Sequence, residues 1–492
     1  MRWGASFVLT CFVLMNPSRR LTSVAIWLCG FSLLLLVLLD YQSLWLDEVI
    51  QLAGTHDGNL AHIEKLVSSG TGGTPLGWLI QIASIHIFGY SAAVARLPSV
   101  VASIFSCFLM ALIARDLGMR FPVLACILLS VLPLHFRYAL EGRPYALGVT
   151  FAVLSHWLFI RLLLNTRKTE LRWRETFHVP PIFGGPATGP FALLKNPNNW
   201  IRIAYCISLA AGIMTQPFTL FIPVAHCFWA ACVRKDKRLL LTVILAMALM
   251  FLVFLPWYLY ASPIWKKSIE LNAVTFTVSW KTSLMLLREI TGAGYVGGIL
   301  LVLLASLGYK YGSTEISLKR LLVLCSATAI IGPLVADAAA NYFVAIRQMI
   351  FALPPLVLLA TDAFSRDDLP KPRRIFLLAA ATASLLFFAI GCWRWLVKPR
   401  EDFKAAARLI RSTEIMYKCD CTVYFPRDTA EYYALFEPGL TACAENNDGH
   451  NVITAVSQYA TTKDFEAHGL LIRGKKLISK KEAGMTVVEL YQ

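Results

Sequence analysis

Asp47 and Glu48 stand side by side in SLWLDEVIQLAG, a few residues beyond the apolar run LLLLVLLD. Successive residues on a helix point about 100° apart, so the two acids cannot face each other across a substrate as a glycosidase dyad does. One carboxylate can then work as a general base while its neighbour orients a metal ion or an acceptor. A carboxylate against apolar walls has a raised proton affinity, which suits a base. The plainer reading is that the acids only solvate a loop.

The stretch LPLHFRYALEGRPYAL (132–147) gathers His135, Arg137, Glu141, Arg143 and Tyr145. Arg137 and Glu141 have the i,i+4 spacing of a structural helix pair. Arg143 has the permanent charge and planar fork that suit a phosphate. A third stretch, ANYFVAIRQMIFALPP (340–355), carries Tyr342 and a single Arg347 before a pair of prolines. Arg143 and Arg347 are the candidate anion partners, with Arg96 a third. His56, His62 and His86 accompany the acids, so a divalent metal is an open option without a recognised ligand spacing. No P-loop, GxSxG, HExxH or CxxC pair is present, so ATPase, serine hydrolase, zincin and zinc-ribbon chemistry lack support.

These residues must be positioned by a membrane protein. The chain is 57% hydrophobic and only 15% charged, against about 25% charged in soluble domains. Eleven apolar segments fit as spans, at about 21–39, 92–114, 121–139, 145–164, 200–215, 217–233, 239–259, 292–309, 320–337, 348–364 and 375–395. The net charge of +16 does not point to nucleic acid, because the excess sits in short loops between these segments. Alternate loops hold 21 basic residues against seven in the others, which predicts a cytoplasmic N-terminus. Asp47 and Glu48 then emerge on the outer face, in a loop of residues 40–91. Its later part, TPLGWLIQIASIHIFG, reads as an interfacial helix anchored by Trp78. Counting it as a span would reverse the charge bias. Residues 167–199 read as a largely irregular inner loop, and 260–291 as an outer loop with room for a further interfacial helix. Residues 1–14 are too short to span and lack a clear cleavage site, and Met15 is an alternative start.

From residue 398 the character changes. The tail holds 13 basic and 13 acidic residues from Leu396 onward. EDFKAAARLIRS reads as an amphipathic helix on Phe403, Ala407 and Ile410, CTVYFP as a buried strand, DTAEYYALF as a helix, and MTVVELY as a closing strand. A membrane domain of 1–397 and a small outer α/β domain of 398–492 are expected. Cys419, Cys421 and Cys443 lie in this tail, either as free thiols or with a disulfide to Cys443.

The ordered set WLDE, TPLGWLIQIASIHIFGYSAAVARLPSVVASI, LPLHFRYALEGRPYAL, YFVAIRQMIFALPP and EDFKAAARLI resembles the bacterial membrane glycosyltransferases of the GT-C fold. Among these it is similar to enzymes related to protein O-mannosyltransferases and the lipid A aminoarabinose transferase. The likeness spans roughly residues 20–415 and is strongest over 44–150. It implies a mainly α, polytopic fold with catalytic residues in the first outer loop. It implies a donor sugar on a polyprenyl phosphate and an acceptor lipid, glycan or protein, with transfer outside the bacterial inner membrane. Asp47 would be the base, Glu48 its companion, and Glu141, Arg143 and Arg347 would match family positions. The chain departs in having LDE where the aminoarabinose enzymes have PDE. The rival reading is a transporter or flippase of a lipid-linked glycan, which predicts charged or broken helices near the bilayer midplane. A scaffold or sensor would need far fewer spans.

Overall fold

The computed structural model describes residues 20–56, 59, 74–176, 197–272, 280–340, 345–366, 368–398, 401–419, 421–427, 429–443, 451–458, 460, 462–484 and 486–492. The chain is an integral, multi-pass membrane protein of mainly α structure with a small C-terminal sheet. Among the described residues, seven helices are long and apolar enough to cross a bilayer, or eight if one bent pair is a single span.

The bundle opens with α1 (Arg20–Leu38), followed by the short α2 (Leu46–Ala53) and by α3 (Pro75–Phe88). Its centre is built from α4 (Ala92–Asp116) and, after α5 (Pro122–Val131) and α6 (Pro133–Ala139), α7 (Tyr145–Thr176). Beyond them lie α8 (Pro197–Ile213), α9 (Phe221–Phe228), α10 (Lys237–Asn272), α11 (Trp280–Glu289), α12 (Gly294–Tyr311) and α13 (Ile316–Ala340). A 3-10 turn (Ile346–Ala352) leads into α14 (Leu353–Asp362), and α15 (Lys371–Val397) completes the bundle. Leu241, Leu245, Leu252 and Leu259 stay exposed along one stripe of α10, as a lipid-facing helix requires. Gly308 lets α12 reach α14, since a Cβ there would lie 1.7 Å from the Leu359 carbonyl oxygen.

Several sequence expectations change. The segment 121–139 is two helices bent by 73°, because Pro133 has no N–H to continue α5 and restarts the chain at the first position of α6. Residues 260–272, expected as loop, prolong α10 through Pro256 and Pro263. The expected inner loop is helical as far as Thr176. Trp78 is not an interfacial anchor. It is wholly buried, edge-on to Trp257 at 5.6 Å, because α3 packs so closely that a Cβ on Gly77 would meet Pro144 at 2.6 Å.

The C-terminal unit begins with α16 (Phe403–Tyr417), whose buried face is Phe403, Ala406, Ala407 and Ile410. It continues through β1 (Thr422–Phe425), α17 (Thr429–Ala434), β2 (Val452–Ser457), α18 (Thr462–Leu471), β3 (Leu477–Ala483) and β4 (Thr486–Tyr491). The sheet order is β1-β2-β4-β3, with β1 parallel to β2 and the other pairs antiparallel. Cys421 and Cys443 form a disulfide, and the Cys419 Sγ lies 3.8 Å from the carbonyl oxygens of Tyr417 and Asn451. The core of this unit is continuous with α2: Leu44, Val49 and Leu52 pack in one cluster with Phe403, Ala407, Ile410 and Tyr433.

Candidate active site

The site is built around α2, eight residues long and too short to hold its shape alone. Its two acids point apart. Glu48 turns inward and is 2% exposed, while the Asp47 side chain keeps 22% of its surface.

Glu48 is fully engaged. Its Oε1 accepts from Arg96 Nε at 2.8 Å and from the Gly142 backbone N–H at 2.6 Å. Its Oε2 accepts from Arg96 Nη2 at 2.7 Å and from the Trp45 backbone N–H at 3.3 Å. Arg96, 1% exposed, also donates through Nη1 to the carbonyls of Leu39 and Gln42 and through Nη2 to that of Ser43. All five of its N–H donors are thereby used. Arg96 has none left for a phosphate, so the expectation that it binds the donor gives way to a structural role. Glu48 likewise orients the chain through its bonds to Arg96, Gly142 and Trp45. The fork-to-carboxylate geometry ties the exit of α1, the start of α2 and the turn before α7 to one point on α4.

Two glutamines complete the frame. Gln51 Nε2 donates to Gln81 Oε1 at 2.9 Å and to the Gly142 carbonyl at 2.8 Å, and Gln81 Nε2 donates to the Ala95 carbonyl at 3.1 Å. Gly142 is needed here because a Cβ would sit 3.2 Å from Gln81 Nε2 and 3.3 Å from the Ala95 oxygen. Glu401, from the chain entering α16, accepts from the Leu46 backbone N–H at 2.6 Å and from Gln458 Nε2 at 3.0 Å. The C-terminal unit therefore holds the residue that precedes Asp47.

On the open side, Asp47 Oδ2 lies 3.4 Å from Arg347 Nη1. The Arg347 and Arg143 guanidinium groups lie 5.7 and 5.9 Å from the centre of the Tyr145 ring, so Tyr145 holds two cations against one π system. Arg143 also donates from Nη1 to Gln51 Oε1 at 3.4 Å. Arg347 Nε is buried with no hydrogen-bond partner among the described residues. Arg137 pairs with Glu141 at 2.7 Å, the plain i,i+4 reading, and lies over the Trp45 ring at 5.7 Å. Arg96 is paired with Glu48 and Arg137 with Glu141, which leaves Arg143 and Arg347 beside Asp47 on the open side.

Not every expected residue joins this constellation. His135 is buried, and neither ring nitrogen has a hydrogen-bond partner among the described residues. Tyr342 and His62 lie outside the described residues. His86 is exposed, and His56 Nδ1 pairs with the Ala53 carbonyl oxygen at 3.0 Å. Among the described residues, the group with metal-ligand spacing lies elsewhere, at His156, His226 and Cys325. Sequence reasoning missed Gln51, Gly142 and Glu401 as framework residues. A glutamine one turn after Asp47 was a usable signal, whereas Glu401 lies more than 350 residues from its partner.

Comparison with known proteins agrees with this architecture. Residues 73–174, which include Arg96, Glu141, Arg143 and Tyr145, match the family model for dolichyl-phosphate-mannose-protein mannosyltransferase. The chain superposes on ArnT from Cupriavidus metallidurans in the apo state with a TM-score of 0.56 at 12% identity, covering 95% of this chain and 98% of that one. The fold is that of the GT-C membrane glycosyltransferases. ArnT bound to undecaprenyl phosphate gives the same TM-score and identity, covering 95% of this chain and 97% of that one. Arabinofuranosyltransferase AftD from Mycobacteria gives a TM-score of 0.52 at 14% identity, covering 94% of this chain and 39% of that one. No curated protein sequence matches the chain.

Proposed function

We propose that this GT-C-type glycosyltransferase takes a sugar from a polyprenyl-phosphate donor and passes it to an acceptor hydroxyl on the outer face of the membrane. The carrying observation is the contact of Asp47 with Arg347, beside Arg143 and the shared Tyr145 ring. A carboxylate next to a patch with surplus positive charge suits an anionic donor whose leaving group is a phosphate. The structure of ArnT bound to undecaprenyl phosphate supports that donor class. The disulfide between Cys421 and Cys443 supports an extracytoplasmic C-terminal unit, and so does the basic bias of the alternate loops.

In the resting arrangement Arg347 partly neutralises Asp47. A donor phosphate competes for Arg347 and releases the carboxylate when the sugar is in place. Asp47 then takes the acceptor hydroxyl proton while that oxygen bonds to the anomeric carbon. The bond from that carbon to the phosphate oxygen breaks, and its electron pair leaves with polyprenyl phosphate, stabilised by Arg347 and Arg143. A single displacement inverts the anomeric centre. Glu48 and Arg96 hold α2 in register.

The test is transfer by the purified protein in lipid, supplied with a panel of radiolabelled polyprenyl-phosphate sugars. Asp47→Asn abolishes transfer while retaining donor binding. Arg347→Ala raises KM for the donor at least tenfold, and Arg347→Lys recovers part of the loss. Full transfer by Asp47→Asn overturns the base assignment. Absence of both turnover and binding for every lipid-linked sugar overturns the donor class.

A further inference from the structure

We propose that His156, His226 and Cys325 form a binding site for one soft monovalent metal ion, Cu(I), inside the helical bundle. The three residues come from α7, α9 and α13 and are all buried. One ligand atom from each lies within 4.8 Å of the others. Three separate helices thus bring two imidazoles and a thiol to one point. Ionisable groups are costly inside a membrane bundle and mark function by default.

The local geometry suits ligation. His156 Nδ1 and His226 Nε2 face each other at 2.9 Å, a separation that a shared proton spans and that a small expansion opens to a metal ion. The other nitrogen of His226, Nδ1, lies 2.8 Å from the Tyr205 hydroxyl. With Nε2 on the metal, Nδ1–H donates to that hydroxyl, the outer-shell partner that fixes the tautomer and aim of a ligating histidine. Phe159 stacks on the His226 ring at 4.0 Å with an interplanar angle of 1°, which locks its orientation. The turn that follows α9, Trp229–Arg234, is π-helical. Such turns recur at functional sites, and here it interrupts the helix three residues after His226.

Charge selects the ion. On binding, Cys325 loses one proton to solvent, and its thiolate neutralises Cu(I), so no net charge is buried. A divalent ion with the same ligands would leave a full positive charge in a medium of low dielectric. The thiolate also favours a soft metal, and imidazole is a good ligand for copper. The site is independent of the transfer reaction and of its acids.

Full-length protein in lipid nanodiscs is titrated anaerobically with Cu(I) against a chromophoric chelator. One equivalent is expected to be retained by the wild type and by Cys29→Ser. Cys325→Ser and His226→Ala are each expected to weaken retention at least tenfold. X-ray absorption of the loaded wild type, which needs no variant to fold, is expected to report nitrogen and sulfur neighbours together. Retention undiminished in both variants, no retained copper in the wild type, a first shell without sulfur, or preferential loading with zinc would each overturn the assignment.

Discussion

Arg96 shows how far one side chain's role depends on its neighbours. Read as an isolated basic residue it is a phosphate ligand, yet all five of its donors are committed to Glu48 and to the carbonyls of Leu39, Gln42 and Ser43. Arg96→Ala would leave the Glu48 carboxylate buried without its cation, and we expect a stability loss of about 3–5 kcal/mol. Glu48→Gln combined with Arg96→Met removes both charges and is expected to cost less. Thermal unfolding in detergent separates the two, and equal losses would refute the pairing as the cause. Asp47→Asn, whose carboxylate meets Arg347 at 3.4 Å on a part-exposed face, should leave the midpoint nearly unchanged.

At the level of elements, α2 is held from both ends. Gln51 fixes its C-terminal half to Gln81 and Gly142, and Glu401 takes the backbone N–H of Leu46 at its start. Glu401→Ala frees the residue before Asp47, and misplacement of that kind lowers kcat by about 10- to 100-fold. Glu401→Gln keeps an oxygen acceptor and should retain most activity. Single-turnover transfer distinguishes the outcomes, since a charge-based role would disable both variants equally. The helix α16 was legible from its spacing, with Phe403, Ala407 and Ile410 buried as expected. Strands β2 and β3 were not, because their ends are set by pairing with β4 and not by local pattern.

For the whole molecule, the bundle and the C-terminal unit share one core through α2, so the site belongs to both. Its orientation is a separate prediction. Asp40, beside the exit of α1, is 57% exposed, and Asp40→Cys in a Cys419→Ser background should react with an impermeant maleimide in intact cells. Labelling only after membrane disruption would put the site on the cytoplasmic side and remove the proposed route for an outer-face acceptor.

Apolar length and charge spacing are local properties, so residue order alone determined the membrane class and the helical character of the apolar segments, though not the break at Pro133. Helix periodicity alone also determined that Asp47 and Glu48 cannot face one another. Tertiary structure decided which acid is buried: Glu48 finds Arg96 and Gly142, 48 and 94 residues away, while Asp47 is left facing Arg347, some 300 residues on. It also decided that Arg143 and Arg347 share Tyr145, and that Glu401 reaches back to α2. Such pairings depend on which helix ends meet once the bundle closes, and no spacing along the chain encodes them.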